Sequence, residues 1–170
     1  GRSAGIELLY QQKLYKNFYG IFAYTYFHSE FTNIDGEFLP SVWDSRHLVS
    51  FTGGYKAPRN WEISGRFRYA GKTAYAPVDL AQSLASYPAL ILDYTNLGDQ
   101  MLDPFNQLDI RIDKKWNFKK WTLNLYFEVQ NVLQANVPSP PQYGLDRDES
   151  GAIVTPRNLV EIAQNPSSIL

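Results

Sequence analysis

The sequence predicts an all-β fold, an antiparallel up-and-down transmembrane β-sheet of the barrel kind, and three observations predict it. Three segments of about ten residues alternate apolar and polar side chains. The connections between strands alternate short and long. Aromatic residues form 15% of the 170-residue chain (12 Tyr, 10 Phe, 4 Trp), and several gather at the short connections.

Composition narrows the function. Sixteen Lys+Arg against 17 Asp+Glu leave a net charge of −1, without the basic field of a nucleic-acid binder. There is no cysteine, so no disulfide framework, thiolate nucleophile or zinc ribbon, and only two histidines. No uncharged apolar stretch is long enough for a transmembrane helix.

Six strands are expected, near residues 5–15, 18–31, 46–57, 60–71, 105–117 and 120–133. In the first, Ile6, Leu8 and Tyr10 alternate with Glu7, Leu9 and Gln11. The second is aromatic on both parities (Phe22, Tyr24 and Tyr26 against Tyr19, Ile21 and Phe27), which leaves its facing open. The third sets Val49, Phe51 and Tyr55 against Ser50, Thr52 and Lys56; its Gly53-Gly54 pair reads as a bend. The fourth is the clearest, with Trp61, Ile63, Phe67 and Tyr69 on one side and Glu62, Ser64, Arg66 and Arg68 on the other. Leu108, Ile110 and Ile112 oppose Asp109, Arg111, Asp113 and Lys115 in the fifth, where Lys114 breaks the apolar parity. Trp121, Leu123, Leu125, Phe127 and Val129 oppose Thr122, Asn124, Tyr126, Glu128 and Gln130 in the sixth.

Tight turns at Lys16-Asn17, Ala57-Pro58-Arg59-Asn60 and Asn117-Phe118-Lys119-Lys120 alternate with long excursions over 32–45, 72–104 and 134–156. In a meander this places every short turn at one end, the pattern of an outer-membrane barrel. Tyr55, Trp61, Trp116, Phe118 and Trp121 flank the short turns, as an interfacial girdle would. The apolar parity then faces lipid and the charged parity a wet lumen. A soluble β-sandwich would show the same alternation with apolar side chains inward; loop asymmetry and the girdle favour the barrel.

Short motifs follow one another in order: Gly5-Ile6-Glu7, Ala23-Tyr24-Thr25-Tyr26, Asp44-Ser45-Arg46-His47, Gly71-Lys72-Thr73-Ala74-Tyr75-Ala76-Pro77-Val78-Asp79, Leu108-Asp109-Ile110-Arg111-Ile112-Asp113-Lys114-Lys115-Trp116 and Glu128-Val129-Gln130-Asn131-Val132. Their order and spacing resemble the C-terminal barrel of TonB-dependent outer-membrane receptors, especially those of Bacteroidota. Ala74 stands where that family usually has proline. The resemblance implies an active transporter of the bacterial outer membrane that imports a scarce nutrient: loops capture the ligand, and a plug inside the barrel rearranges through TonB. It implies outer-membrane lipid, the protein's own plug domain and the TonB complex as partners, and allows a surface lipoprotein. It implies no nucleic acid, no cofactor and no enzyme activity. Such barrels have about 22 strands. Residues 1–170 are therefore expected to be a partial barrel, the C-terminal part, lacking the plug and a final strand; the tail Pro166-Ser167-Ser168-Ile169-Leu170 reads as the approach to that strand.

Chemistry is sparse. Asp44, Arg46 and His47 read as a cluster at a strand start, His28 lacks enough partners for a metal, and Asp146-Arg147-Asp148-Glu149 reads as a solvated loop tip. The lumen- or plug-facing candidates are Glu62, Arg66, Arg68, Asp109, Arg111, Asp113 and Glu128, whose interleaved signs suit cross-strand pairs. Tyr75, Asp79, Tyr87 and Tyr94, with Asp93 and Asp99 in the same loop, are the candidates for ligand contact. A short helix is expected after Asp79, and Pro138, Pro140 and Pro141 exclude one in the last loop. A plugless porin-like or adhesin barrel and a soluble carbohydrate-binding β-sandwich are the rival readings.

Overall fold

The computed structural model describes residues 1–162. Six long strands carry it: β1 (Arg2–Tyr15), β2 (Phe18–Thr32), β4 (His47–Ala57), β5 (Trp61–Ala70), β8 (Phe105–Asn117) and β9 (Thr122–Val129). They pair in the order β1-β2-β4-β5-β8-β9, all antiparallel, and the sheet stays open at both edges. Five short strands lie in the excursions, the last of which runs past its expected end at 156 because β11 pairs back on β10: β3 (Phe38–Pro40), β6 (Ala74–Tyr75), β7 (Gln100–Met101), β10 (Gln142–Leu145) and β11 (Leu159–Ile162). The segment 166–170 lies outside the described residues.

Turn chemistry places the hairpins. Lys16 and Asn17 both adopt positive φ (46° and 70°), the conformation a two-residue turn requires to match strand twist. Arg59 and Asn60 do the same at 61° and 60° after Pro58. The wider turn after β8 is closed by Phe118 N–H donating to the Trp121 carbonyl at 2.9 Å. Strand β9 ends four residues before the expected boundary at residue 133 because Asn131, at φ 51°, turns the chain. Its side chain accepts from Ala135 N–H and donates to the Ala135 carbonyl, both at 3.0 Å.

Register settles what the sequence left open in β2. Phe22, Tyr24 and Tyr26 pair with Phe51, Val49 and His47, so they share the face of Ile63, Phe67 and Tyr69. Tyr19, Ile21, Ala23 and Thr25 lie on the face of Glu62, Arg66 and Arg68. The ladder runs through Gly53-Gly54 without a register break, so the pair marks no interruption of pairing. It makes room for two rings instead. A Cβ at Gly53 would meet the Phe51 ring at 2.8 Å on one face; a Cβ at Gly54 would meet the Tyr19 hydroxyl at 2.6 Å and its ring at 2.8 Å on the other. An aromatic ring laid over a strand glycine covers its bare backbone.

The excursions are folded. In residues 72–104, β6 pairs with β7, and helix α1 (Leu80–Ala85) starts where expected, capped by Asp79 accepting from Gln82 N–H at 2.9 Å. Ser83 is fully buried and exchanges hydrogen bonds with the Ile91 backbone. Ala74, Ala76 and Leu97 form a small apolar cluster against Leu39 of β3. Residues 142–162 form a β10–β11 hairpin, with an Asp148-centred turn at its far end. The few buried apolar side chains of the described residues, Ala74, Ala76, Leu97 and Leu159, all lie in these excursions; none is in the six-strand ladder.

Gly54→Ala is expected to push the Tyr19 ring off the strand and lower unfolding free energy by about 1–3 kcal/mol, as overpacking does. The urea midpoint of the protein in detergent measures it, and an unchanged midpoint would contradict the role assigned to Gly54.

Candidate functional site

Strand periodicity and register bring the seven ionisable candidates of β5, β8 and β9 to one face. Glu62 opposes Asp113, Arg66 opposes Asp109, Arg111 opposes Glu128, and Arg68 opposes Gln107. Asp109 is the centre. Only 4% exposed, it takes Arg66 Nε and Nη2 on Oδ2 at 3.0 and 2.8 Å. Its Oδ1 accepts from Gln107 Nε2 at 2.8 Å and from Asn131 N–H at 2.9 Å. One carboxylate thus ties β5, β8 and the turn after β9 together.

Arg111 makes a two-pronged contact with Asp113 at 2.7–2.8 Å, reaches Glu128 at 3.6 Å and lies 3.9 Å from the centroid of the Tyr126 ring. Glu62 and Asp113 would repel as direct neighbours. They are drawn apart electrostatically by different partners: the Tyr19 hydroxyl donates to Glu62, while Arg111 holds Asp113. Arg68 differs from the other two arginines, since its Nη2 donates to the neutral Gln107 Oε1 at 2.7 Å.

The opposite face carries the girdle candidates. Phe118 and Trp121 stack with centroids 4.0 Å apart, and Tyr55 packs on Phe18 at 4.6 Å. Lys114, the break in the apolar parity, is explained here. Its ammonium lies 5.0 Å from the Trp61 ring and 5.5 Å from the Trp116 ring and donates to the Arg59 carbonyl at the short-turn end. The stem runs along apolar surface while the charge reaches the rim. A second aromatic set, Tyr24, Tyr26, His47 and Tyr69, lies toward the long-loop end; sequence reading missed it because its members come from three strands. Trp61 and Tyr69 are eight residues apart in β5. That is about 27 Å of strand, or about 21 Å at a tilt of about 40°, close to the apolar band of an outer-membrane barrel.

The loop candidates do not converge. Tyr75 donates to Gln100 and lines a cavity of about 480 Å³ with Met101, Pro104, Pro138 and Pro141. Burial, with Tyr143 and Glu161 nearby, raises its pKa. Asp79 is committed to capping α1, and Tyr87 and Tyr94 are exposed elsewhere on the loop. Asp93 closes its own turn, and hydrogen bonds from Thr95 and Asn96 hold its carboxyl below the usual range.

Of the sequence neighbours Asp44, Arg46 and His47, the first two pair and the third turns to a different partner. Buried Asp44 meets His28 Nδ1 at 2.8 Å and Arg46 Nε at 3.1 Å, whereas His47 Nδ1 is 2.8 Å from the Tyr24 hydroxyl. His28 Nε2 lies 2.8 Å from Glu30, which also binds Arg2, so the group forms a chain of polar contacts along the long-loop rim.

Asp109→Ala removes the acceptor shared by three elements and is expected to cost about 1–3 kcal/mol, the penalty for stranding hydrogen-bond donors. Asp109→Asn, which keeps an acceptor oxygen toward Asn131, is expected to cost less. Urea midpoints of the two variants give the comparison.

The family model described as TonB dependent receptor-like, beta-barrel, matches residues 1–132. No curated protein and no solved structure matches the chain. An open, all-antiparallel meander with one apolar and one charged face over the matched span is a partial barrel wall, and the chain belongs to the TonB-dependent receptor β-barrel family.

Proposed function

We propose that this chain forms part of the wall of an active transporter that imports a scarce nutrient across the bacterial outer membrane. The face bearing Ile63, Phe67, Ile110, Ile112, Leu125 and Phe127 contacts lipid, with Tyr55, Trp61, Trp116, Phe118 and Trp121 at the inner interface. The face bearing Glu62, Arg66, Arg68, Asp109, Arg111, Asp113 and Glu128 lines the lumen and meets the plug. The family implies that plug and its link to TonB.

The observation that carries this reading is the segregation of the two faces. Five of the seven ionisable candidates on one side pair with one another within the wall itself, while the other side exposes Ile63 (49%), Leu125 (62%) and Phe127 (68%). Exposed apolar rows of this extent need a non-aqueous neighbour. Charges already paired within the wall lose little when a plug moves past them, because no buried carboxylate is stranded. Ligand capture belongs to the folded excursions at the long-loop end, and transport makes and breaks no covalent bond.

The chain has no cysteine of its own, so single cysteines report each face cleanly. Cysteines replacing Ile63 or Phe127 are expected to resist a charged, water-soluble maleimide in native membranes, whereas those replacing Ser64 or Thr52 should react. The reverse pattern would favour a sandwich with a buried apolar face. The intact mass of the polypeptide in purified outer membranes is expected to be several times 19.5 kDa, with a globular segment ahead of the wall; a mass of one chain alone would overturn the plugged-transporter reading.

A further inference from the structure

The charged wall is not charged throughout. Toward the long-loop end the same face carries the row Thr25, Leu48, Ala70 and Phe105, next to the row Ala23, Ser50, Arg68 and Gln107. These rows enclose a niche of about 360 Å³, walled by Ala23, Leu48, Ala70 and Phe105, with the Thr25 and Ser50 positions and Arg68 on its lining. Leu48 stays 38% exposed on what is otherwise a polar face.

Arg68 is what distinguishes this niche from a gap in packing. Arg66 and Arg111 are neutralised by Asp109 and by Asp113 with Glu128. Arg68 meets only the neutral amide oxygen of Gln107, and among the described residues no carboxylate lies within ion-pair distance of it. A guanidinium presents five donors in a planar fork, and one bond to an amide leaves donors free for a planar anion. We infer that this niche binds a small amphipathic anion: its apolar body lies against Leu48, Ala70 and Phe105, and its carboxylate engages Arg68. The inference rests on the lumen assignment above and gives the imported ligand, or a part of it, a chemical class.

Charge complementarity selects this occupant over an apolar segment of the plug, which would bury Arg68 without a counter-charge. That burial would be costly. A neutral apolar ligand would likewise leave the guanidinium unused.

The test uses indole-3-acetate and indole-3-acetamide, water-soluble probes of nearly equal shape that differ in charge, titrated calorimetrically into the whole polypeptide purified from outer membranes. The acid is expected to bind at least about tenfold more tightly than the amide, the scale of a hydrogen bond to a charged group. Arg68→Gln should abolish that ratio and leave amide binding unchanged, while Leu48→Gln should weaken both. Binding of neither probe, as when a plug segment fills the niche, overturns the inference. So does equal binding of both, or a ratio that survives Arg68→Gln. The cysteine pattern tests the lumen assignment separately, so a failure here with that pattern intact condemns the niche alone.

Discussion

A sheet one layer thick has no interior, and everything else in this molecule follows from that. Each strand turns alternate side chains to opposite sides. The six-strand ladder therefore buries no apolar side chain within the described residues; the few that are buried lie in the excursions. The ladder must find its low-energy surroundings on either side. On one side the exposed rows of Ile, Leu and Phe call for an apolar neighbour. On the other, polar groups satisfy one another across the strands, as Asp109, Arg66, Gln107 and the Asn131 backbone do.

The strands and their turns were legible because their signals are local. Period-two alternation over 61–70 or 121–130 needs no distant contact to be read, and Asn17, Asn60 and Pro58 announce turns by their backbone preferences. The facing of β2 was not legible, since rings occur on both parities and only pairing with β4 decides between them. Ile21 and Ala23 add to that ambiguity as apolar residues on the polar face, Ala23 as part of the niche wall. Folding within the excursions was hidden for a different reason. Leu39 meets Ala74, Ala76 and Leu97 across more than thirty residues of chain, and no short-range pattern marks such a contact.

The charged candidates were visible as a set, but their division of labour was not. Three arginines look equivalent in an alternating segment. Register makes Arg66 and Arg111 structural partners of carboxylates and leaves Arg68 opposite an amide. Lys114 looked like an error in the pattern, yet its place between Trp61 and Trp116 follows from its being near the strand's end, where a long cationic stem reaches the rim. The pairing of Asp44 with His28 rather than with His47 depends on strand β2 passing beside the segment that leads into β4.

Asn131 carries a last consequence. It anchors to the wall through one backbone N–H and closes its own turn with Ala135 through both ends of its amide. The geometry by which the chain leaves the wall is thus completed within five residues. Whatever follows Ala135 inherits a fixed starting direction and shares none of these bonds. That direction carries the distal segment against the 72–104 excursion, where Pro138 and Pro141 share a cavity with Tyr75 and Met101, so a turn of five residues decides which neighbour the rest of the chain meets.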